Sequence, residues 1–231
     1  MAAADEQSLY RLYKAEEEIM QYLTIALTKG RLAGQTMELF EKAGFFCEEL
    51  KDKKSRKLIF TNEEQKLRFF LSKGPDVPTY VEYGAADIGI VGSDIILEEQ
   101  RRCHEVLDLG FGKCRMCVAG VVNEFPNPNR ALRVATKFPG IAKAHYAAKS
   151  REIDIIKLSG SIELAPILGM SDVIVDIVET GSTLKENNLE VKETICDISA
   201  RLIANKAAYR FKNEEVAALA EKISKAVAEN K

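Results

Sequence analysis

Val173-Ile-Val-Asp176-Ile-Val-Glu179-Thr180-Gly181-Ser182-Thr183-Leu184 reads as an apolar strand that ends in a hydroxyl-rich turn and runs straight into a helix. A near-continuous apolar run is the pattern of a strand covered on both faces, as in parallel α/β sheets. The turn suits a phosphate. Backbone N–H groups at a helix start lack intrahelical partners and carry partial positive charge. Thr180, Ser182 and Thr183 add hydroxyl donors, and Gly181 lets the backbone come close. Asp176 and Glu179 flank the turn. Carboxylates repel a phosphate but accept hydrogen bonds from ribose hydroxyls. An acid pair followed by a phosphate cradle therefore matches a ribose 5-phosphate. Taken alone, Thr-Gly-Ser-Thr is equally an ordinary helix-capping turn.

Outward from this stretch the same alternation recurs. Leu23–Leu27 predicts a half-buried strand, followed by a Lys29-Gly30-Arg31 turn and a helical stripe of Leu32, Thr36, Leu39, Phe40 and Ala43 that stops at Gly44. Lys57–Phe60 and Leu67–Ser72 predict adjacent strands joined by a hairpin loop, and Asp76–Glu82 a helix with proline in its first turn. Ile88–Val91 predicts a short buried strand, and Gly92-Ser-Asp94 leads into another helix. Further strands are expected near Val106–Leu109, Arg115–Val122, Leu132–Ala135, Ile153–Leu158, Val173–Ile177 and Val191–Ile198, with helices at Ile141–Lys149, Glu163–Leu168 and Thr183–Asn187. Ala200–Asn205 and Ala207–Phe211 read as a further strand or two. The tail is an amphipathic helix with Asn213 as cap and Val216, Leu219, Ala220, Ile223 and Val227 as its stripe.

Such alternation implies mainly parallel sheets with helices on both faces. There are too many strands for one small sheet, so two α/β lobes are expected, with a ligand in a cleft between them. Residues 20–110 and 196–231 would form lobe I. Residues 111–195 would form lobe II and carry the phosphate turn. Residues 1–19, polar and with only a weak stripe, stand apart as an N-terminal extension.

The 231 residues carry 33 Lys and Arg against 35 Asp and Glu, a net charge of −2. That excludes a strongly basic nucleic-acid binder as the default. No apolar run approaches the ~18 residues of a membrane span, and no secretory leader is evident, so a cytoplasmic protein is expected. Five scattered cysteines fit a reducing compartment. The Cys114-Arg-Met-Cys117 pair lies in a strand, where residues three apart point to opposite faces, so it reads as buried structure and no metal site is assigned.

The run from Glu163 to Leu184, Glu-Leu-Ala-Pro-Ile-Leu-Gly-Met-Ser-Asp-Val-Ile-Val-Asp-Ile-Val-Glu-Thr-Gly-Ser-Thr-Leu, resembles the signature of the ATP phosphoribosyltransferase family. Leu27-Thr-Lys29-Gly30-Arg31, Ser55-Arg56-Lys57-Leu58, Asp76-Val-Pro-Thr-Tyr80, Gly84–Asp94 and Leu107–Cys114 are similar to the same family, which extends the resemblance over about residues 22 to 211. It implies two periplasmic-binding-protein-like (type II) lobes and the first step of histidine biosynthesis. ATP and 5-phosphoribosyl 1-pyrophosphate would yield N1-(5-phosphoribosyl)-ATP and pyrophosphate. By resemblance, Thr180, Gly181, Ser182 and Thr183 hold the 5-phosphate, Asp176 and Glu179 the ribose hydroxyls, and Arg31 and Arg56 the leaving pyrophosphate. Lys29, Asp94 and Glu163 fall to the ATP side. Mg²⁺ would ride mainly on substrate phosphates. The chain resembles the short form, which implies a homodimer that assembles with a regulatory subunit resembling histidyl-tRNA synthetase. Two other readings compete: a non-catalytic two-lobed small-molecule binding protein, and a nucleobase-salvage phosphoribosyltransferase. The first has no need of the acid-plus-phosphate turn. The second often sets its two acids side by side, whereas Asp176 and Glu179 are separated.

Overall fold

The computed structural model describes residues 22–51 and 55–229; the expected extension over residues 1–19 lies outside them. In chain order the strands are β1 (Leu23–Thr28), β2 (Ile59–Asn62), β3 (Leu67–Ser72), β4 (Ile88–Gly92), β5 (Cys103–Asp108), β6 (Cys114–Val121), β7 (Leu132–Thr136), β8 (Ile153–Lys157), β9 (Val173–Val178), β10 (Leu189–Ile198) and β11 (Ala200–Asn205). The helices are α1 (Arg31–Lys42), α2 (Val77–Glu82), α3 (Ser93–Glu99), α4 (Pro139–Ala148), α5 (Leu164–Ile167), α6 (Ser182–Glu186), α7 (Ala208–Phe211) and α8 (Asn213–Glu229). The chain forms two compact units. The first runs to Val91 and adds Arg101–Leu109 and the stretch from Arg201; the second takes Gly92–Gln100 and Gly110–Ala200.

The first unit is built on a six-stranded sheet in the order β2-β3-β1-β4-β11-β5. β1 pairs in parallel with β3 and β4. All six of its residues are buried, because α1 and α2 both pack on it. The Thr/apolar alternation that predicts a half-buried strand thus belongs to a central one, its threonines covered as well. Gly89 makes that cover possible. A Cβ there would stand 2.7 Å from Val81 Cγ2 and 2.8 Å from Val77 Cγ1, so only glycine lets α2 settle onto β4. Gly89→Ala is expected to cost about 1–3 kcal/mol by overpacking and to lower the melting temperature in a thermal scan; an unchanged melt would mean that α2 shifts freely. α8 buries Val216, Leu219, Ile223 and Ala226. Its approach is fixed by Lys212, whose Nζ donates at 2.8 Å to both Asp87 Oδ2 and the Tyr22 carbonyl, while the same Asp87 oxygen accepts from Thr24 N–H.

The second unit holds a five-stranded sheet, β10-β6-β9-β7-β8. β7 is parallel to β8 and β9, whereas β6 is antiparallel to β9 and β10. Both sheets are therefore mixed, not mainly parallel as expected. The reason is local. Parallel pairs such as β7 with β8 come from helix crossovers, while β2 and β3 are joined by too short a loop for a crossover and must pair antiparallel. β5 with β11 and β6 with β10 pair where the chain passes out of the first unit and back. Strands on such outward and return runs are antiparallel by construction.

Three boundaries differ from expectation. α3 belongs to the second unit. Glu98 accepts from the Gly140 and Ile141 N–H groups at 3.0 Å, capping α4, and Ser93 N–H donates to the Ser199 carbonyl at 2.9 Å. The return to the first unit falls after Ala200 instead of near 196. Ala208–Phe211 is a helical turn, not a strand, because Asn205 Oδ1 accepts from Ala207 N–H at 2.8 Å and Ala208 N–H at 3.0 Å and starts it.

Candidate functional site

β9 occupies the centre of the second sheet, between β6 and β7. Val173, Ile174 and Val175 are at most 3% exposed, so the strand is locked from both sides. Its start is also fastened: Asp172 accepts from Arg130 and Arg133. Asp176 interrupts the apolar run opposite Cys117 of β6. The strand then ends and Glu179, Thr180, Gly181 and Ser182 turn the chain into α6.

The turn is shaped by its own residues. Gly181 takes φ +78°, a left-handed conformation; an added Cβ would meet nothing closer than Val178 Cγ1 at 3.8 Å. The glycine is thus required by backbone conformation and not by space. Ser182 N–H donates to Thr180 Oγ1 at 3.3 Å, and the two hydroxyls stand 3.0 Å apart. Leu184 anchors the first turn of α6 in a cluster with Cys117, Ala119, Ile174 and Val178. Gly181 at the N-cap has no side chain to offer, so beyond the Ser182 N–H held by Thr180 the first turn of α6 has no side-chain cap, and its next N–H groups are left for solvent or a ligand. At five residues α6 has little macrodipole, and these N–H groups and hydroxyls are what the turn offers an anion.

A cavity of about 320 Å³ opens here, lined by the turn, by Asp176, Glu179 and Glu163, and by an apolar floor of Cys117, Ala119 and Ile174. Burial pushes the Asp176 carboxyl above the ordinary range. The Ile177 N–H, donating at 2.8 Å, opposes that shift, Glu163 adds to it, and Lys137 opposes it. Asp94, near the start of α3 and 9% exposed, is likewise raised by burial, with the Ile95 N–H and Lys137 acting against it. The structure thus gathers Asp176, Glu179, Thr180, Gly181, Ser182, Thr183 and Glu163 around one cavity. Asp94 is not among its lining residues.

Lys29, Arg31 and Arg56 belong to the first unit. Lys29 and Arg31 follow the carboxyl end of β1, which lies between parallel β3 and β4, the position where open α/β sheets take ligands. Lys29 N–H donates to the Ser72 carbonyl at 2.9 Å, Gly30 takes φ +94°, and Arg31 opens α1; both cations are exposed. Arg56 is exposed in the irregular stretch before β2. Two residues escaped the sequence reading. Thr28 carries a buried hydroxyl with no partner among the described residues, at the end of β1. Lys137 follows β7, and its charge acts on buried Asp94 and half-buried Asp176. Both stand at carboxyl ends of parallel strands, and that position is the signal that could have found them.

Two such units define the type II periplasmic-binding-protein-like class. The B. pertussis BvgS periplasmic domain shares this fold with a TM-score of 0.57 at 12% identity, over 99% of this chain and 43% of that one. Within the class, this chain belongs to the ATP phosphoribosyltransferase family, whose family model matches residues 73–225. It is 61% identical over 200 residues to the ATP phosphoribosyltransferase of Lachnoclostridium phytofermentans, covering 85% of this chain and 93% of that one. It is 57% identical over 209 residues to that of Lachnospira eligens, covering 89% and 97%. A chain of the Thermotoga maritima ATP phosphoribosyl transferase (HisG:HisZ) complex superposes with a TM-score of 0.79 at 36% identity, over 90% of this chain and 99% of that one. The chain is accordingly a pentosyltransferase, the enzyme of the first step of histidine biosynthesis.

Proposed function

We propose that the second unit holds the phosphoribosyl donor and that transfer proceeds by direct attack of adenine N1 on ribose C1. The N1 lone pair forms the new bond, the C1–O bond breaks, and its electrons leave with pyrophosphate. The transition state is cationic at C1 and anionic at the leaving group, so positioning and charge stabilisation carry the catalysis. Thr180, Gly181, Ser182 and Thr183 take the 5-phosphate, and Asp176 and Glu179 the ribose hydroxyls. Arg31 and Arg56 take the leaving pyrophosphate through planar, permanently charged forks. Lys29, Asp94 and Glu163 serve the ATP side. The observation that carries this reading is the shared cavity, in which Asp176 stands just upstream of a glycine turn rich in hydroxyls.

The carboxylates of Asp176 and Glu163 are hard oxygen donors that suit Mg²⁺. The ion is read as held chiefly by substrate phosphates, with few protein ligands, as Mg²⁺ usually is. When bound, that ion would offset charge on the pyrophosphate. The Thermotoga maritima HisG:HisZ complex supports assembly with a HisZ-like partner; that the chain forms a homodimer and that the partner is a regulatory subunit resembling histidyl-tRNA synthetase follow from the family resemblance. No helix among the described residues is long and apolar enough to cross a membrane, which supports a cytoplasmic enzyme.

The test is a pyrophosphatase-coupled assay with ATP, phosphoribosyl pyrophosphate and Mg²⁺, read by adenine-ring absorbance. Product is expected, from this chain alone or once the regulatory subunit is added. Silence in both conditions, with ligands still bound, would overturn direct transfer at this site. Thr183→Val is expected to raise the donor Kd about tenfold, since an unpaired phosphate oxygen costs one charge-assisted hydrogen bond. An unchanged Kd in calorimetry would remove Thr183 from the cradle.

A further inference from the structure

The cavity has an imbalance of charge. Its lining includes Glu163, Asp176 and Glu179 but no lysine or arginine. A phosphoribosyl donor brings several negative charges of its own, so the site as lined would repel its substrate. Arg31 and Arg56 belong to the first unit; within the second unit the sheet register supplies a cation just outside the lining.

β7 and β9 run in parallel with Thr136 opposite Val175. One step further along both strands stand Lys137 and Asp176. The backbone on either side of Lys137 is pinned: Thr136 Oγ1 donates to the Val175 carbonyl at 2.6 Å and accepts from Phe138 N–H at 2.8 Å. The Lys137 side chain is exposed and makes no ion pair within 4 Å among the described residues; its ammonium stands 6.0 Å from the Phe138 ring centroid. Its charge nevertheless acts on two acids of this region, buried Asp94 and half-buried Asp176. The neighbouring start of α4 is not an alternative anion site, because Glu98 already accepts from the Gly140 and Ile141 N–H groups.

We propose that Lys137 is a substrate-contacting residue whose ammonium pairs with the pyrophosphate of the phosphoribosyl donor. This rests on the donor-site reading above. The 5-phosphate has its own donors in the Thr180–Thr183 turn. Lys137 stands beside Asp176 at the end of the neighbouring strand, whereas the turn continues β9 itself; with the ribose hydroxyls on Asp176, the anionic group next to them is the one on C1, adjacent to the C2 hydroxyl.

The test compares wild type with Lys137→Met, which keeps length and removes charge, and with Lys137→Arg. Calorimetry would measure Kd for phosphoribosyl pyrophosphate, inorganic pyrophosphate and ribose 5-phosphate; steady-state assays would give KM and kcat. The Met variant is expected to weaken phosphoribosyl pyrophosphate and pyrophosphate by about 10- to 100-fold, the range of one lost charge-assisted bond. Ribose 5-phosphate binding and the melting temperature should stay unchanged, and arginine should restore most of the loss. A Met variant that binds all three like wild type would overturn this inference and leave the donor site standing. Loss of ribose 5-phosphate affinity would overturn the pyrophosphate assignment. A wild type that binds no phosphoribosyl pyrophosphate would overturn the donor-site reading and this inference with it.

Discussion

Arg56→Ala is expected to lower kcat by about 10²–10³-fold, the range seen when a preorganised donor to a developing anion is removed. The melting temperature should not change, because Arg56 is exposed in an irregular stretch and its truncation opens no cavity. The argument runs from the leaving group. Pyrophosphate gains charge as the C1–O bond lengthens, and a guanidinium that stays ionised and binds two oxygens at once gains most at that moment. A lysine at this position keeps the charge and loses the fork, so Arg56→Lys should fall between wild type and alanine. Turnover near normal in Arg56→Ala, measured by coupled pyrophosphate release, would take Arg56 out of the mechanism. Its neighbours would then account for it: Arg56 would be one of two adjacent exposed cations, the other, Lys57, pairing with Glu49.

Much of this molecule was legible in its sequence because period and punctuation are local properties. β9 shows as an apolar run, α8 as a stripe, and Gly44 as the stop after α1. Direction of pairing is not local. The sequence of β6 reads the same whether its neighbours run with or against it, so the mixed sheets could not be foreseen. The unit to which α3 belongs turns on Glu98 reaching the start of α4, about forty residues on, a contact that leaves no mark in periodicity. The short helix after Asn205 was missed because Ala and Tyr suit either state and the deciding bond is a side-chain cap.

The candidate site divides in the same way. The glycine turn and its acids are contiguous in sequence, and together they line one cavity. Glu163 joins them through the fold, since the fifteen residues 164–178, all of β9 among them, separate it from Glu179. Lys137 and Thr28 carry no motif. Each is an ordinary residue given meaning by the strand it ends and by what surrounds it: the carboxyls of buried Asp94 and half-buried Asp176 for Lys137, and for Thr28 a hydroxyl with no partner among the described residues.

Asp176→Asn should separate function from stability more sharply than any other change. An ionised carboxylate here accepts ribose hydroxyl protons and favours a cationic ring; an amide keeps one acceptor oxygen and loses the charge. kcat/KM for the donor is expected to fall about 100-fold, as for a lost charged hydrogen bond that strengthens in the transition state. In wild type the same parameter should fall with acid through a pKa above the ordinary aspartate range, since burial raises this group. Activity is present above that pKa and lost below it, and the Asn variant should lack this limb. Stability has the opposite sign. A carboxyl whose folded pKa is raised contributes stability below its unfolded pKa and loses it as pH rises through the folded one. At neutral pH the buried charge is therefore a cost, and Asp176→Asn should melt at or above the wild-type temperature, with the difference closing toward pH 4. A variant that melts lower while losing activity would make Asp176 a structural residue. One that keeps normal kcat/KM would remove it from the donor site and leave Glu163 and Glu179 as the acids of the cavity.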